Sequence, residues 1–133
     1  MRIQKTALWL ALLGSLSFGS GAHAATLYTA PLFAVAHIVT AHVECKVMNV
    51  VGSPTTVRLR MIVDDGTAVA DSGEITLAPF EAAELVPPFP GGLSYCRFDV
   101  RGGKKRVRAG ACTMVQLPAP GAPQVCSAVL PAH

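Results

Sequence analysis

The sequence predicts an all-β fold, an antiparallel sandwich of seven to eight short strands. Three observations lead there. Apolar residues recur with period two in one run after another, and turn residues separate these runs roughly every eight to twelve positions. All four cysteines follow an export-type leader, and no convincing amphipathic helix lies among them.

The leader comes first. The chain of 133 residues opens with Arg2 and Lys5, continues as an apolar run from Ala7 to Phe18, and reaches Ala22-His23-Ala24. A basic start, an apolar centre and small residues at an A-x-A site form the pattern that signal peptidase cuts. Residues 1–24 are therefore expected to be removed, leaving 25–133 as a single domain, periplasmic or secreted. The apolar run, about a dozen residues, is short of the roughly 20 a spanning helix needs, so no transmembrane segment is expected after cleavage. Losing Arg2 and Lys5 leaves nine basic residues against eight acidic ones, and the formal +3 falls to +1. A nearly neutral exported chain is a poor candidate for nucleic-acid binding.

The elements follow in order. Residues 26–41, "TLYTAPLFAVAHIVTA", are apolar and interrupted by Pro31, which suits an edge strand and a crossing segment. In "HVECKVMN", Val43, Cys45 and Val47 alternate with Glu44 and Lys46. In "TTVRLRMIVDD", Val57, Leu59, Met61 and Val63 share one face, and Thr56, Arg58 and Arg60 the other. Shorter strands follow at "EITLA" and "AAELV", with turns at Asp64-Asp65-Gly66, Asp71-Ser72-Gly73 and Ala78-Pro79. "PPFPGG" (87–92) is a stiff extended connection.

The stretch 95–112, "YCRFDVRGGKKRVRAGAC", reads as a hairpin. Cys96, Phe98 and Val100 alternate with Tyr95, Arg97 and Asp99, and Gly102-Gly103 supplies residues that tolerate positive φ in a tight turn. Counting outward pairs Phe98 with Val107 and Arg97 with Arg108, which gathers the basic residues on one side of a ribbon. Parity also predicts the disulfides. Cys45 and Cys96 both face inward, whereas Cys112 falls on the opposite parity and sits symmetrically with Cys126 about Ala119. Bonds Cys45 to Cys96 and Cys112 to Cys126 are expected, worth roughly 4 and 3 kcal/mol on the loop-entropy model. This strand and turn pattern suits a sandwich of immunoglobulin or fibronectin type, without the antibody tryptophan, because the only Trp is Trp9 in the leader.

Three blocks carry a resemblance: "VECKVMNVVGSPTTVRLRMI", "DSGEITLAPFEAAEL", and "YCRFDV" with "VRAGAC". With these the chain resembles small exported bacterial proteins of uncharacterised function over most of residues 43–112. The first two blocks are also similar to fibronectin-like and adhesion-related bacterial β-sandwich domains, which serve as spacers or binding modules. The likeness implies fold and export and brings no catalytic residue. At "LAPFE", Phe80 stands where such turns usually carry Gly.

Little chemistry is on offer. In a strand, His37 and His42 face opposite sides, and the cysteines lack zinc spacing, so neither metal nor cofactor is expected. Asp64, Asp65 and Asp71 lack the ligand spacing of a calcium loop. No G-x-S-x-G occurs, and Glu74, Glu81 and Glu84 read as surface residues rather than a glycosidase pair. The chain is therefore not expected to be an enzyme. Two binding readings remain. One is a non-catalytic structural or interaction module for another envelope or extracellular protein. The other is a module for anionic glycan or lipid headgroups through Tyr95, Arg97, Arg101, Lys104, Arg106 and Arg108, whose guanidinium forks match oxyanions. On an exposed ribbon the same charges also discourage edge-to-edge association.

Overall fold

The computed structural model describes residues 24–34, 41–87, 92–116 and 124–133. The leader before Ala24, His37 and most of "PPFPGG" lie outside them. Among the described residues no helix is long and apolar enough to cross a membrane.

Among the described residues there are nine strands, one more than the upper expectation: β1 Ala24–Tyr28, β2 Leu32–Ala34, β3 Ala41–Asn49, β4 Thr55–Val63, β5 Ala68–Leu77, β6 Ala82–Leu85, β7 Gly92–Arg101, β8 Val107–Gln116 and β9 Gln124–Pro131. They form two antiparallel sheets. Sheet A runs β1-β7-β4-β5, with β2 also on β7, and sheet B runs β6-β3-β8-β9. Pro31 separates β1 from β2, both of which pair with β7, so residues 26–34 of this segment hold edge strand, while residues 35–40 lie outside the described residues and Ala41 opens β3.

Parity decides the interior. Val43, Cys45 and Val47 of β3, Val57, Leu59 and Met61 of β4, and Cys96, Phe98 and Val100 of β7 are all at most 3% exposed, and they meet between the sheets. The Cys45–Cys96 disulfide joins the two sheets there, with Cα atoms 5.6 Å apart. Ile62 is buried instead of Val63, next to a register shift in the β4–β5 ladder that breaks strict alternation. Cys112 lies on the outward parity of β8, opposite Glu44. It is not a free thiol. Cys126 stands opposite Met114 rather than opposite Cys112, because Gln116 pairs with Gln124 and Val115 with Val125, a register that is not the one symmetric about Ala119. Its side chain, and with it the expected second bond, lies outside the described residues.

Two expectations of local pairing are corrected. Residues 95–112 are not a hairpin: β7 pairs with β1 and β4, while β8 pairs with β3 and β9 in the other sheet. Gly102 and Gly103, at φ 84° and 99°, instead lead into a 3-10 turn at Lys104–Arg106 that carries the chain from one sheet to the other. A sheet crossing and a hairpin need the same turn residues, and core burial of both flanking strands selects the crossing. Asp71-Ser72-Gly73 is likewise a bulge within β5, not a turn. Arg58 faces Glu74 and Arg60 faces Asp71, so Ser72 and Gly73 together oppose Leu59. Gly73 takes φ 66°, its N–H donates to Asp71 Oδ1 at 2.8 Å, and Ser72 Oγ accepts from the Leu59 N–H at 2.9 Å. The Asp64-Asp65-Gly66 turn does join β4 to β5, with the Thr67 N–H donating to Asp65 Oδ1 at 2.7 Å.

Candidate functional site

The basic residues of 95–112 are dispersed by the crossing. Arg97 and Arg101 lie on the outer face of sheet A, and Arg108 lies on the outer face of sheet B. Arg97 donates to Asp99 at 3.2 Å and rests over the Tyr28 ring, 5.8 Å from its centroid. Tyr95 packs beside Tyr28 with ring centroids 6.3 Å apart. Arg101 makes two hydrogen bonds to Glu74, at 2.9 and 3.0 Å. Arg106 folds back across Gly102 onto Ser53 Oγ, Pro54 O and Thr55 Oγ1. Lys104, Lys105 and Arg108 have no carboxylate partner among the described residues, and Arg108 donates only to the neighbouring Val107 carbonyl at 3.4 Å. One ribbon face that gathers all six sequence-predicted residues does not exist.

The outer face of sheet A neutralises itself instead. Arg58 forks onto Asp71, Arg60 pairs with Asp99, and Thr26 donates to Asp99 at 2.9 Å. The Arg58 hydrogen bonds hold Asp71 down to about 2. Burial works against ionised Asp99, but the bonds from Arg60, Thr26 and Arg97 outweigh it and leave its carboxyl below the usual range. The three glutamates weighed as a glycosidase pair are each occupied: Glu74 by Arg101, Glu84 by Lys46 at 3.7 Å, and Glu81 by the Ala78 N–H at 2.6 Å. His42 contacts Glu44 at 2.9 Å, and Lys46 reaches the other Glu44 oxygen at 3.1 Å.

The residues that stand out chemically were not among the predicted binding residues. Between β5 and β6 the chain turns through Ala78-Pro79-Phe80-Glu81, closed by the Glu81 N–H donating to the Ala78 carbonyl at 3.1 Å. Phe80 sits at φ 62°, the left-handed region that a type II turn demands of its third residue and that favours Gly. For a bulky side chain this costs roughly 1 kcal/mol. The ring gains no burial in return, being 68% exposed. Its distinct sequence signal was the Phe in place of Gly at "LAPFE".

Asn49 holds this turn in place. Fully buried, it donates from Nδ2 to the carbonyls of Ser53, Leu77 and Ala78 at 2.9, 3.2 and 3.0 Å, and its Oδ1 accepts from the Val51 N–H and the Thr55 hydroxyl. Its own N–H donates to the Glu81 carbonyl at 2.9 Å. Beside the turn, the outer face of sheet B carries a groove of about 560 Å3 walled by Met48, Ala82, Arg108, Gly110 and Pro131. Met48, 44% exposed, occupies the parity of Glu44 and Lys46, where a polar residue is the norm, and that misplacement was its legible signal.

Compared with known protein families, curated proteins and solved structures, the chain matches none.

Proposed function

We propose that this chain is a non-catalytic interaction module that binds another envelope or extracellular protein through the Phe80 turn and the adjoining outer face of sheet B. The observation that carries this reading is Phe80 itself. A large apolar ring is held exposed, at a backbone conformation that disfavours it, by a buried Asn49 network. Strain of this kind persists where the surrounding structure enforces it, and it clusters at ligand-contacting sites. Aromatic side chains, Phe among them, are also enriched at protein interfaces relative to the rest of the surface.

The proposed setting is export to the periplasm or beyond, supported by the leader sequence and by the Cys45–Cys96 disulfide, a bond that persists in oxidising compartments. An immunoglobulin-like ancestry, shared with small exported bacterial proteins, is part of the same proposal. Immunoglobulin sandwiches link strands B and F by a disulfide, with B beside E and C beside F. Here β3, β4, β6 and β7 repeat that order and pairing, β3 beside β6 and β4 beside β7, with the disulfide from β3 to β7.

The test is site-specific photocrosslinking in the native host. Benzoylphenylalanine at position 80 is expected to give a defined protein adduct, and the same group at position 76, on the outer face of sheet A, none. Absence of an adduct at 80, or equal adducts at both positions, would overturn the proposal.

A further inference from the structure

The charge left over on sheet B narrows the partner. Of the nine basic side chains among the described residues, Arg58, Arg60, Arg97, Arg101 and Lys46 each meet a carboxylate, and Arg106 is consumed by Ser53, Pro54 and Thr55. The three that remain are neighbours. Lys104, Lys105 and Arg108 line a second hollow of about 300 Å3, which shares Arg108, Ala109 and Pro131 with the Met48 groove. The two hollows therefore form one surface, apolar at the Met48 end and cationic at the Lys104 end.

We infer, building on the interaction reading above, that this surface takes an extended acidic segment of a partner protein: apolar side chains seated beside Met48 and Pro131, and carboxylates meeting Arg108, Lys104 and Lys105. The fold prepares each part. Gly102 and Gly103 turn the chain out of sheet A, and Arg106, pinned over Gly102, anchors the 3-10 turn whose other two residues are the lysines. Arg108 follows at the start of β8, opposite Met48 in register, so the first cation stands at the edge of the apolar floor. Apolar contact supplies affinity and a guanidinium that meets no carboxylate among the described residues supplies orientation, because a carboxylate there gains a charge-assisted hydrogen bond.

The experiment measures fluorescence anisotropy of labelled decapeptides with one central Leu-Phe pair, flanked by Asp and Glu, by Ser, or by Lys, titrated with the full chain. The acid-flanked peptide is expected to bind at least about tenfold more tightly than the Ser-flanked one. Met48→Asp should weaken it by a similar factor. A triple variant, Lys104→Glu with Lys105→Glu and Arg108→Glu, should reverse the preference toward the Lys-flanked peptide, a gain that an unfolded chain cannot produce. Failure of all peptides to bind, equal binding of all three, or an acidic preference that survives the triple variant would overturn the inference. So would binding that ignores Met48→Asp, or capture of phosphatidylglycerol vesicles in place of peptides. A position-80 adduct together with charge-blind peptides would leave the interaction reading standing and remove only its acidic partner.

Discussion

The two outer faces of this sandwich use similar residues to opposite ends. On sheet A, Arg58, Arg60, Arg97 and Arg101 are each matched by Asp71, Asp99 or Glu74, and the face is closed upon itself. On sheet B, Arg108 and the two lysines before it meet no carboxylate among the described residues, beside a floor of Met48 and Pro131. A count of basic residues therefore says little about binding. What matters is whether each cation already has a carboxylate within its own fold.

The contrast depends first on the bond that holds the faces apart. Replacing both cysteines, Cys45→Ala with Cys96→Ala, is expected to lower unfolding stability by about 4 kcal/mol, for a loop closed across 51 residues, as read from urea denaturation. Both faces should loosen together. A loss below about 1 kcal/mol would mean that packing of Phe98 and Leu59 alone fixes the sheets.

Asn49→Ala comes next and acts on the sheet B side. It removes at once the hydrogen bonds to the Ser53, Leu77 and Ala78 carbonyls, the Val51 N–H and the Thr55 hydroxyl, and an expected cost of about 3 kcal/mol follows from losing several buried hydrogen bonds together. Hydrogen exchange should quicken at Glu81 before it does in β4, because the turn loses its brace while sheet A keeps its ladder.

Phe80→Gly should move stability the other way, a gain of roughly 1 kcal/mol as the left-handed strain is relieved, measured by thermal unfolding. The same change should weaken partner capture. A variant that is both less stable and fully competent in binding would sink the assignment of the turn.

The smallest effects belong to sheet A. Ionised Asp71 has its folded value near 2, below its ordinary 3.8, so its stabilising contribution is full above that ordinary value and disappears as the pH falls toward about 2. Asp99 acts in the same direction. Arg58→Ala should cost little at neutral pH, since the pair is solvent-screened, and should flatten the acid limb of the stability profile. An unchanged acid limb would show that the Arg58–Asp71 fork contributes nothing.

How much of this was legible beforehand depended on the kind of information a residue carries. Inside and outside were written in the period-two pattern, so Cys45, Cys96, Phe98 and Leu59 could be placed in the core and the disulfide between sheets anticipated. Partner strands were not written there. Gly102-Gly103 and Asp71-Ser72-Gly73 offer positive-φ glycines and short polar side chains, which serve a hairpin, a sheet crossing or a bulge equally well. The choice among them is made by burial of β7 against β4 and of β8 against β3, contacts remote in sequence. The candidate surface was legible only as rule-breaking: Phe80 in a glycine position, and Met48 on a polar parity.

The crossing that separates β7 from β8 also sets a clock. Among the described strands, β4 with β5 and β8 with β9 are the pairs joined by sequence neighbours, and every other ladder waits for distant partners, such as Thr26 and Asp99, 73 residues apart. Chains dominated by such pairings fold in milliseconds to seconds, although a hairpin such as β4–β5 closes in roughly microseconds. For most of its folding time, then, the molecule is two short ribbons with long loose arms, and the Cys45 and Cys96 thiols stay apart until β7 packs across β3.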